Sequence, residues 1–259
     1  MGRRGDRSGL ATGEVALDRA RQLAHGSRLR ALRFLCHPGR LLALVRYLSS
    51  LPGVTVLVGD DPSGAHLVAT YGGAGNLARF GVHCLVLPAI MEDYLAGRSR
   101  QALRTGINRA NRQGMAVRHL RPEQVEPAFV EVCRRRRWTT EVMARTSAGF
   151  GGPMEALVGL VVEDALGELF TLVLLQVSGT TARLVWSMST ARGDGRWLAW
   201  RGAVEACLAL GVRAILVGGD DYFAKRIGCA RVNVGVRMVS DVVVEPAGDA
   251  GLVVGHLVT

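Results

Sequence analysis

The sequence predicts an α/β (α+β) fold in which a mixed β-sheet is flanked by helices. Apolar residues make up 49% of the 259 residues, which suffices for a large buried core. In the last third of the chain the pattern predicts, in order, two strands, a glycine loop, a helix, a strand, a helix and a strand. This order is typical of a mixed sheet. No apolar run reaches the length of a membrane helix and no export-signal core precedes the first helix, so we expect no membrane span and a cytoplasmic protein.

The N-terminal third predicts helices that lead into a small antiparallel sheet. Residues 1–12 lack periodicity and are expected to be a disordered basic start. Helical patterns then run from Glu14 to Ser50. The segments "VTVLVGD", "HLVATYG" and "GVHCLVLP" are typical of short strands, because the turn-forming "DDPSG" and "GGAGN" separate them. We therefore place a unit of helices and small sheet at 13–90.

A second domain is expected at 91–245, followed by a C-terminal tail at 246–259. Its first half predicts an arginine-rich helix from Met91 to Gln113, a strand "MAVRHL", a helix that begins at Pro122, and a helix "PMEALVGLVVEDAL". Its second half predicts a hairpin of "GELFTLVLLQV" and "TTARLVWSMST". The elements expected after it are the loop "ARGDG", a helix "RWLAWRGAVEACLALG", a strand "VRAILVGG", a helix "DYFAKRIG" and a strand "RVNVGVRMV".

Positive charge is concentrated in two blocks. The net charge is +10, with ten arginines against three acidic residues in 1–46 and twelve against four in 94–145. The rest of the chain is slightly acidic. A local basic surface on such a protein indicates a polyanionic partner, whether nucleic acid, a lipid surface or a phosphate-rich cofactor.

Cysteine and histidine spacing predicts neither a metal site nor a disulfide framework. The five cysteines are widely separated and form no C-x-x-C pair, and the six histidines form no H-x-x-x-H pair. We expect the cysteines to be buried small apolar residues. No tightly bound cofactor is expected.

The loop between the hairpin and the following helix is the clearest candidate for anion binding. Backbone N–H groups and the helix dipole favour an anion at such a junction. Four residues of the loop are candidates to bind this anion: Arg192, Gly193, Gly195 and Arg196. The loop lacks the G-x-G-x-x-G dinucleotide fingerprint, since Leu198 occupies its last position. No P-loop motif is present, which disfavours kinases, ATPases and NAD enzymes.

The element order and this loop together resemble the GNAT acyltransferase superfamily, in which an R/Q-x-x-G-x-G/A turn receives the pyrophosphate of coenzyme A. The candidates for donor binding are the residues of this turn, with Ser187 and Ser189 of the preceding strand: Arg192, Gly193, Gly195, Arg196 and Trp197. Trp197 stands where the family has a small residue, which disfavours an acyl-CoA donor. The segments "YLAGRSRQALRTGINRANRQG" and "ACLALGVRAILVGGDDYFAKRIGCARVNVGVRMV" are similar to patterns of the Fem-type, aminoacyl-tRNA-dependent branch. The resemblance covers Val82 to Val239, and a degenerate GNAT half is one interpretation of 13–90.

The resemblance implies transfer of an aminoacyl group from an aminoacyl-tRNA to the amine of a small molecule or peptide, which forms an amide. The expected partners are therefore tRNA and an amine acceptor. Two alternatives stay open: an N-acyltransferase that uses acetyl-CoA or another acyl-CoA, and a basic nucleic-acid-binding protein without catalysis. Because an activated ester reacts readily with a neutral amine, orientation and oxyanion stabilisation suffice, and no Ser-His-Asp set is required.

Candidate site residues follow from their places in these elements. Asp220 and Asp221 end a buried strand and could accept the proton of the amine, although Asp221 equally suits an N-cap. Tyr222 could protonate the leaving group, and Lys225, the only lysine, lies in the K/R-x-x-G element of the resemblance. Ser187 and Ser189 could donate to a carbonyl oxygen or be structural. Candidate tRNA contacts, or else solvated helix surfaces, are Arg98, Arg100, Arg104, Arg109, Arg112, Arg134, Arg135, Arg136 and Arg137.

Overall fold

One mixed sheet contains the eight strands of the computed structural model, which describes residues 4–73, 76–190, 195–218 and 221–239. The strands are β1 (Gly53–Gly59), β2 (Val82–Val86), β3 (Ala116–His119), β4 (Val158–Glu163), β5 (Leu169–Ser178), β6 (Thr181–Ser189), β7 (Ala214–Val217) and β8 (Ala230–Val239). Their order across the sheet is β1-β8-β2-β7-β6-β5-β4-β3. The pairs β1–β8 and β6–β7 are parallel, and the other neighbours are antiparallel.

Helices cover both faces of this sheet, which confirms the predicted fold class. The described α-helices are α1 (Arg4–Gly26), α2 (Arg28–Leu35), α3 (Pro38–Ser50), α4 (Pro62–Tyr71), α5 (Met91–Leu95), α6 (Gln101–Arg112), α7 (Pro122–Arg135), α8 (Thr140–Ala148), α9 (Gly195–Ala209) and α10 (Asp221–Ile227). None of them combines the length and the apolar character needed to cross a membrane.

Successive residues of β4 show how the two faces are divided. Leu160 and Val162 join the cluster that contains α6 and α9, whereas Val161 between them joins the cluster that contains α7. This alternation follows from the pleat, and burial on both faces explains why the strand is a continuous apolar run. Helix α9 is buried almost all round because it lies between the sheet and α6.

The N-terminal strands extend the main sheet and do not form a separate one. β8 lies between β1 and β2, so residues 53–86 and the C-terminal strands share one sheet, which corrects the expected small antiparallel sheet. The segment "HLVATYG" lies in α4 and at its end, whereas we expected a strand. Asp61 begins this helix by accepting a hydrogen bond from the Gly64 N–H, and Pro62 follows at the first helical position. Helix α1 begins at Arg4, which corrects the expected disorder for residues 4–12; no proline interrupts that segment.

Two predicted helices of the second domain also differ. The expected helix from Met91 to Gln113 is divided into α5 and α6, because Gly97 between them adopts a left-handed φ of 83°. The expected helix "PMEALVGLVVEDAL" contains β4 instead. A short, continuous apolar run is compatible with a buried helix or with a buried strand. Here it forms a strand because it pairs with β3 and β5. The expected tail at 246–259 lies outside the described residues.

Thiol labelling tests the predicted burial of the cysteines. Cys36 is exposed, whereas Cys84, Cys133 and Cys207 are buried and Cys229 is half-buried. Burial raises the pKa of Cys84 to about 11 and those of Cys207 and Cys229 to about 12. At about pH 8 we therefore expect one rapidly reacting thiol with a disulfide reagent in native protein, and all five only in denaturant. Rapid reaction of several thiols in the native protein would contradict this burial.

Candidate functional site

The strands β6 and β7 separate near the middle of the sheet. Their parallel pairing runs from Thr181 and Ala214 to Leu184 and Val217, where β7 ends, while β6 continues to Ser189. The backbone of residues 185–189 therefore has no partner in β7 along one edge. The register between β5 and β6 also shifts here, since Leu174 faces Trp186 and Leu175 faces Leu184. The extra residue is a β-bulge, a feature often found beside active sites.

The elements around this opening come in the order that the sequence predicts. From β5 onward they are strand, strand, loop, helix α9, strand, helix α10 and strand, with β6 and β7 parallel neighbours. This element order is the one on which the resemblance to the GNAT superfamily rests. Helix α9 begins six residues after the end of β6, and the superfamily resemblance assigns donor binding to the turn at its start.

The first turn of α9 packs closely against β5 and β4. Ser189 and Thr171 share a hydrogen bond between their hydroxyl oxygens, 2.9 Å apart. A Cβ on the buried Gly195 would lie 3.2 Å from the Thr171 hydroxyl oxygen, so glycine permits this approach. Ser189 therefore has a structural partner, whereas Ser187 is exposed on the same strand. Of the two predicted serines, Ser187 is the one available to a ligand.

Aromatic rings fill the space between α9 and α10. Trp197 is only 6% exposed and stacks on Phe223, with ring centroids 5.7 Å apart. The Arg196 guanidinium lies over the Trp197 ring at 4.8 Å. On its other side the indole meets α6 at Gly106, where an added Cβ would lie 2.6 Å from Trp197 Cγ. Trp197 is thus a packing residue that closes the gap beside the start of α9.

A chain of two buried hydrogen bonds connects three helices near these rings. Trp200 Nε1 donates to the Tyr94 hydroxyl over 2.7 Å, and that hydroxyl donates to the Ile227 carbonyl oxygen over 2.8 Å. The chain joins α5, α9 and the end of α10. Burial raises the pKa of Tyr94 far above its usual value, so the hydroxyl stays neutral and available to donate.

The chain can be tested by Tyr94→Phe. The change leaves the Trp200 N–H and the Ile227 carbonyl without their buried partner, so we expect a loss of about 1–3 kcal/mol in the free energy of unfolding. Urea denaturation measures it. The matched control is Tyr71→Phe, because Tyr71 is also a buried tyrosine but its hydroxyl makes no hydrogen bond with a described residue. Equal stability of the two variants would contradict a structural role for the chain.

The predicted arginines of the central block fall into two groups. Arg104 donates to the carbonyl oxygens of Leu95 and Gly97, the latter over 2.8 Å. Arg100 lies over the Tyr94 ring at 5.2 Å and against Gly228, whose missing side chain leaves room for the guanidinium. These two side chains hold the bend between α5 and α6. The exposed members of the set are Arg98, Arg109 and Arg112.

The four consecutive arginines lie at the end of α7 and are all exposed. Arg135 pairs with Glu131 over 2.8 Å, and Arg137 has a left-handed φ of 58°. Trp138, which follows them, packs edge-on against Trp186 with centroids 6.1 Å apart. Its ring is therefore already engaged in the α7-side core, so the predicted stacking surface is only partly accessible.

Several predicted residues cannot be placed. Arg192, Gly193 and Asp220 lie outside the described residues, and so do the side chains of Asp221 and Tyr222. Lys225 is described and exposed on α10. Within the described parts of the chain, no three potential metal ligands cluster together. The sequence interpretation missed Tyr94 and Gly106; the first stands at the start of the quoted Fem-type motif, and the second is an unexplained glycine inside a helical pattern.

Comparison with known proteins finds only distant structural similarity. No protein-family model and no curated protein matches the chain. Among solved structures, the C-terminal DUF2156 domain of a putative lysylphosphatidylglycerol synthetase from Agrobacterium fabrum has 12% identity and a TM-score of 0.43, over 60% of this chain and 58% of that chain. A conserved protein of unknown function from Bacteroides thetaiotaomicron has 14% identity and a TM-score of 0.43, over 59% and 57%.

A third structure, L-PGS from Bacillus licheniformis, has 10% identity and a TM-score of 0.40, over 59% of this chain and 58% of that chain. The chain thus spans less than three-fifths of the length of each of these structures.

Proposed function

We propose that the protein transfers an aminoacyl group from an aminoacyl-tRNA to the amine of a small molecule or peptide. The observation that carries this proposal is the opening beyond Leu184 and Val217, where β7 ends and β6 continues without it to Ser189. Unpaired backbone N–H groups at a strand edge and at a helix start are the donors that an oxyanion needs. Acyl transfer uses this arrangement without a protein nucleophile.

In the proposed reaction the neutral amine attacks the ester carbonyl of the donor. A bond forms between nitrogen and carbon, the terminal ribose oxygen of the tRNA leaves with the electron pair of the broken ester bond, and the amine loses one proton while that oxygen gains one. Asp220 or Asp221 is proposed to accept the first proton and Tyr222 to supply the second. Ser187, exposed on the open part of β6, is proposed to donate to the carbonyl oxygen.

Two features support tRNA over coenzyme A as the source of the acyl group. The stacked rings of Trp197 and Phe223 occupy the gap beside the start of α9, where a pantetheine-phosphate against that helix would need room. In addition, the exposed arginines at Arg98, Arg112 and the end of α7 give the transferase domain a basic surface of the kind that binds a phosphate backbone. No resident cofactor is required.

The alternative donor is an acyl-CoA held at the same helix start. It is favoured by the unpaired backbone N–H groups at the start of α9, where the helix dipole attracts a phosphate. Isothermal titration with coenzyme A distinguishes the two donors. Micromolar binding would support the acyl-CoA reaction, and absence of binding would exclude it.

Mass spectrometry of ligands that co-purify with the native protein tests the donor class directly. We expect RNA of tRNA length, which ribonuclease removes, and no stoichiometric coenzyme A. Filter retention then compares charged with deacylated tRNA, because a transferase must recognise the aminoacyl end in addition to the backbone. Equal retention of both forms, without any transfer to amines, would instead favour a binding protein without catalysis.

A further inference from the structure

The helices α2 and α3 expose an unusual number of large aliphatic side chains. Only Cys36 and His37 separate the two helices, and both are exposed. We call α2 and α3 together the N-terminal helix pair. Its exposed aliphatic residues are Leu29 (69%), Leu32 (60%), Leu41 (47%), Leu42 (52%) and Val45 (50%). Single exposed leucines are common on protein surfaces, whereas five within seventeen consecutive residues indicate a contact surface.

These side chains are not needed for the packing of the pair. On α3, Leu44 and Tyr47 turn inward and form a small core with Leu17 of α1. Leu41 and Val45, four residues apart, lie on a different side of the same helix. On α2, Ala31 is buried while Leu29 and Leu32 are exposed. The pair is thus anchored to α1 by one side and presents a second apolar side.

The charged residues of the helix pair are exclusively basic. Between Asp18 and Asp60 the chain contains no acidic residue. Four arginines of the helix pair are exposed, and none of them pairs with a carboxylate of a described residue: Arg30, Arg33, Arg40 and Arg46. Arg40 lies over the Phe34 ring at 4.5 Å, which leaves its charge at the surface. Aliphatic side chains flanked by arginines are typical of helices that lie at a lipid–water interface.

We propose that the N-terminal helix pair docks on an anionic lipid bilayer, with its leucines in the acyl–headgroup boundary and its arginines on lipid phosphates. A second copy of the chain is a poor occupant, because a two-fold contact would bring two purely basic surfaces together. Nucleic acid would use the arginines but leave the five aliphatic side chains in water. In this arrangement the helix pair lies on the surface of the bilayer, so no membrane-spanning helix is needed. Docking is independent of the transfer reaction.

Vesicle co-sedimentation of the full chain tests the proposal. We expect the protein to sediment with phosphatidylcholine vesicles that contain phosphatidylglycerol, and to stay in solution with phosphatidylcholine alone or at high salt. Leu32→Glu with Leu42→Glu should lower the partition coefficient at least tenfold. Arg33→Gln with Arg40→Gln should lower it about 25-fold, since each arginine near an anionic surface contributes a factor of about five.

The matched control carries the same glutamates at exposed leucines elsewhere. Leu166 is 88% exposed and Leu210 is 48% exposed, so Leu166→Glu with Leu210→Glu adds equal charge without touching the helix pair. This control should bind vesicles within about threefold of the unchanged protein, because only two distant charges have been added. Circular dichroism confirms folding of all variants.

Three outcomes would overturn the proposal. The first is an absence of sedimentation with anionic vesicles, or sedimentation that the helix-pair leucine variant leaves unchanged. The second is loss of tRNA retention in the arginine variant with vesicle binding intact, which would assign the surface to nucleic acid. The third is a dimer in light scattering that the leucine variant converts to a monomer, which would assign the surface to a second copy.

Discussion

Gly106→Val is expected to lower the free energy of unfolding by about 3 kcal/mol or more. Its Cβ would lie 2.6 Å from Trp197 Cγ, and the indole cannot retreat because Phe223 stacks on it. Relief requires α6 to move away from α9, which would also disturb the start of α9 at the proposed site. Urea denaturation followed by tryptophan fluorescence measures the change.

The control for this variant is Gly152→Val. Gly152 is exposed, has no atom within 4 Å of a built Cβ, and does not have a left-handed φ. Its unfolding free energy should stay within about 0.5 kcal/mol of the unchanged protein. If Gly106→Val were equally harmless, Trp197 would not fill the gap between α6, α9 and α10, and the steric argument against coenzyme A would fail.

Arg98→Gln with Arg112→Gln should weaken binding of aminoacyl-tRNA and reduce its dependence on salt. Each lost phosphate contact removes about 0.7–0.9 from the slope of log affinity against log salt concentration, so the slope should fall by nearly two. Filter binding over a salt series measures both quantities. Affinity at low salt should drop more than tenfold.

A charge-matched control separates phosphate contacts from net charge. Arg121 and Arg145 are also exposed, but they pair with Glu123 at 3.2 Å and with Glu141 at 2.6 Å. Arg121→Gln with Arg145→Gln removes the same two charges and should change the slope by less than about half as much. Identical slopes for both double variants would show that binding follows overall charge and that Arg98 and Arg112 make no specific contact.

The sequence predicts the C-terminal half of the fold well and the N-terminal half poorly. The hairpin β5–β6, helix α9 and strands β7 and β8 are apolar segments separated by glycine-containing turns, so local pattern and final structure agree. By contrast, "HLVATYG" contains β-branched residues but follows Asp61 and Pro62, and the helix start prevails over strand propensity. The placement of β1 beside β8 depends on contacts between segments that lie far apart in the sequence, which no local pattern encodes.

The candidate site was predictable in its elements but not in its geometry. The loop before α9 and the conflict at Trp197 follow from residue types at fixed spacings. The bulge in β6 near Trp186 does not, because register depends on the neighbouring strand. The division of the arginines also depends on tertiary structure: Arg104 is engaged by carbonyl oxygens at the bend near Gly97, whereas Arg98 in the same motif stays exposed.

The most direct test of aminoacyl transfer compares how much amide product forms from each of the two donors. Purified protein is mixed with a panel of amines and either tRNA charged with labelled amino acids or labelled acetyl-CoA, and the label in stable amide is counted. The proposal predicts that label moves from tRNA to an amine, that ribonuclease pretreatment abolishes the transfer, and that acetyl-CoA gives none. Acetyl transfer that is unaffected by ribonuclease, with charged tRNA inert, would contradict it.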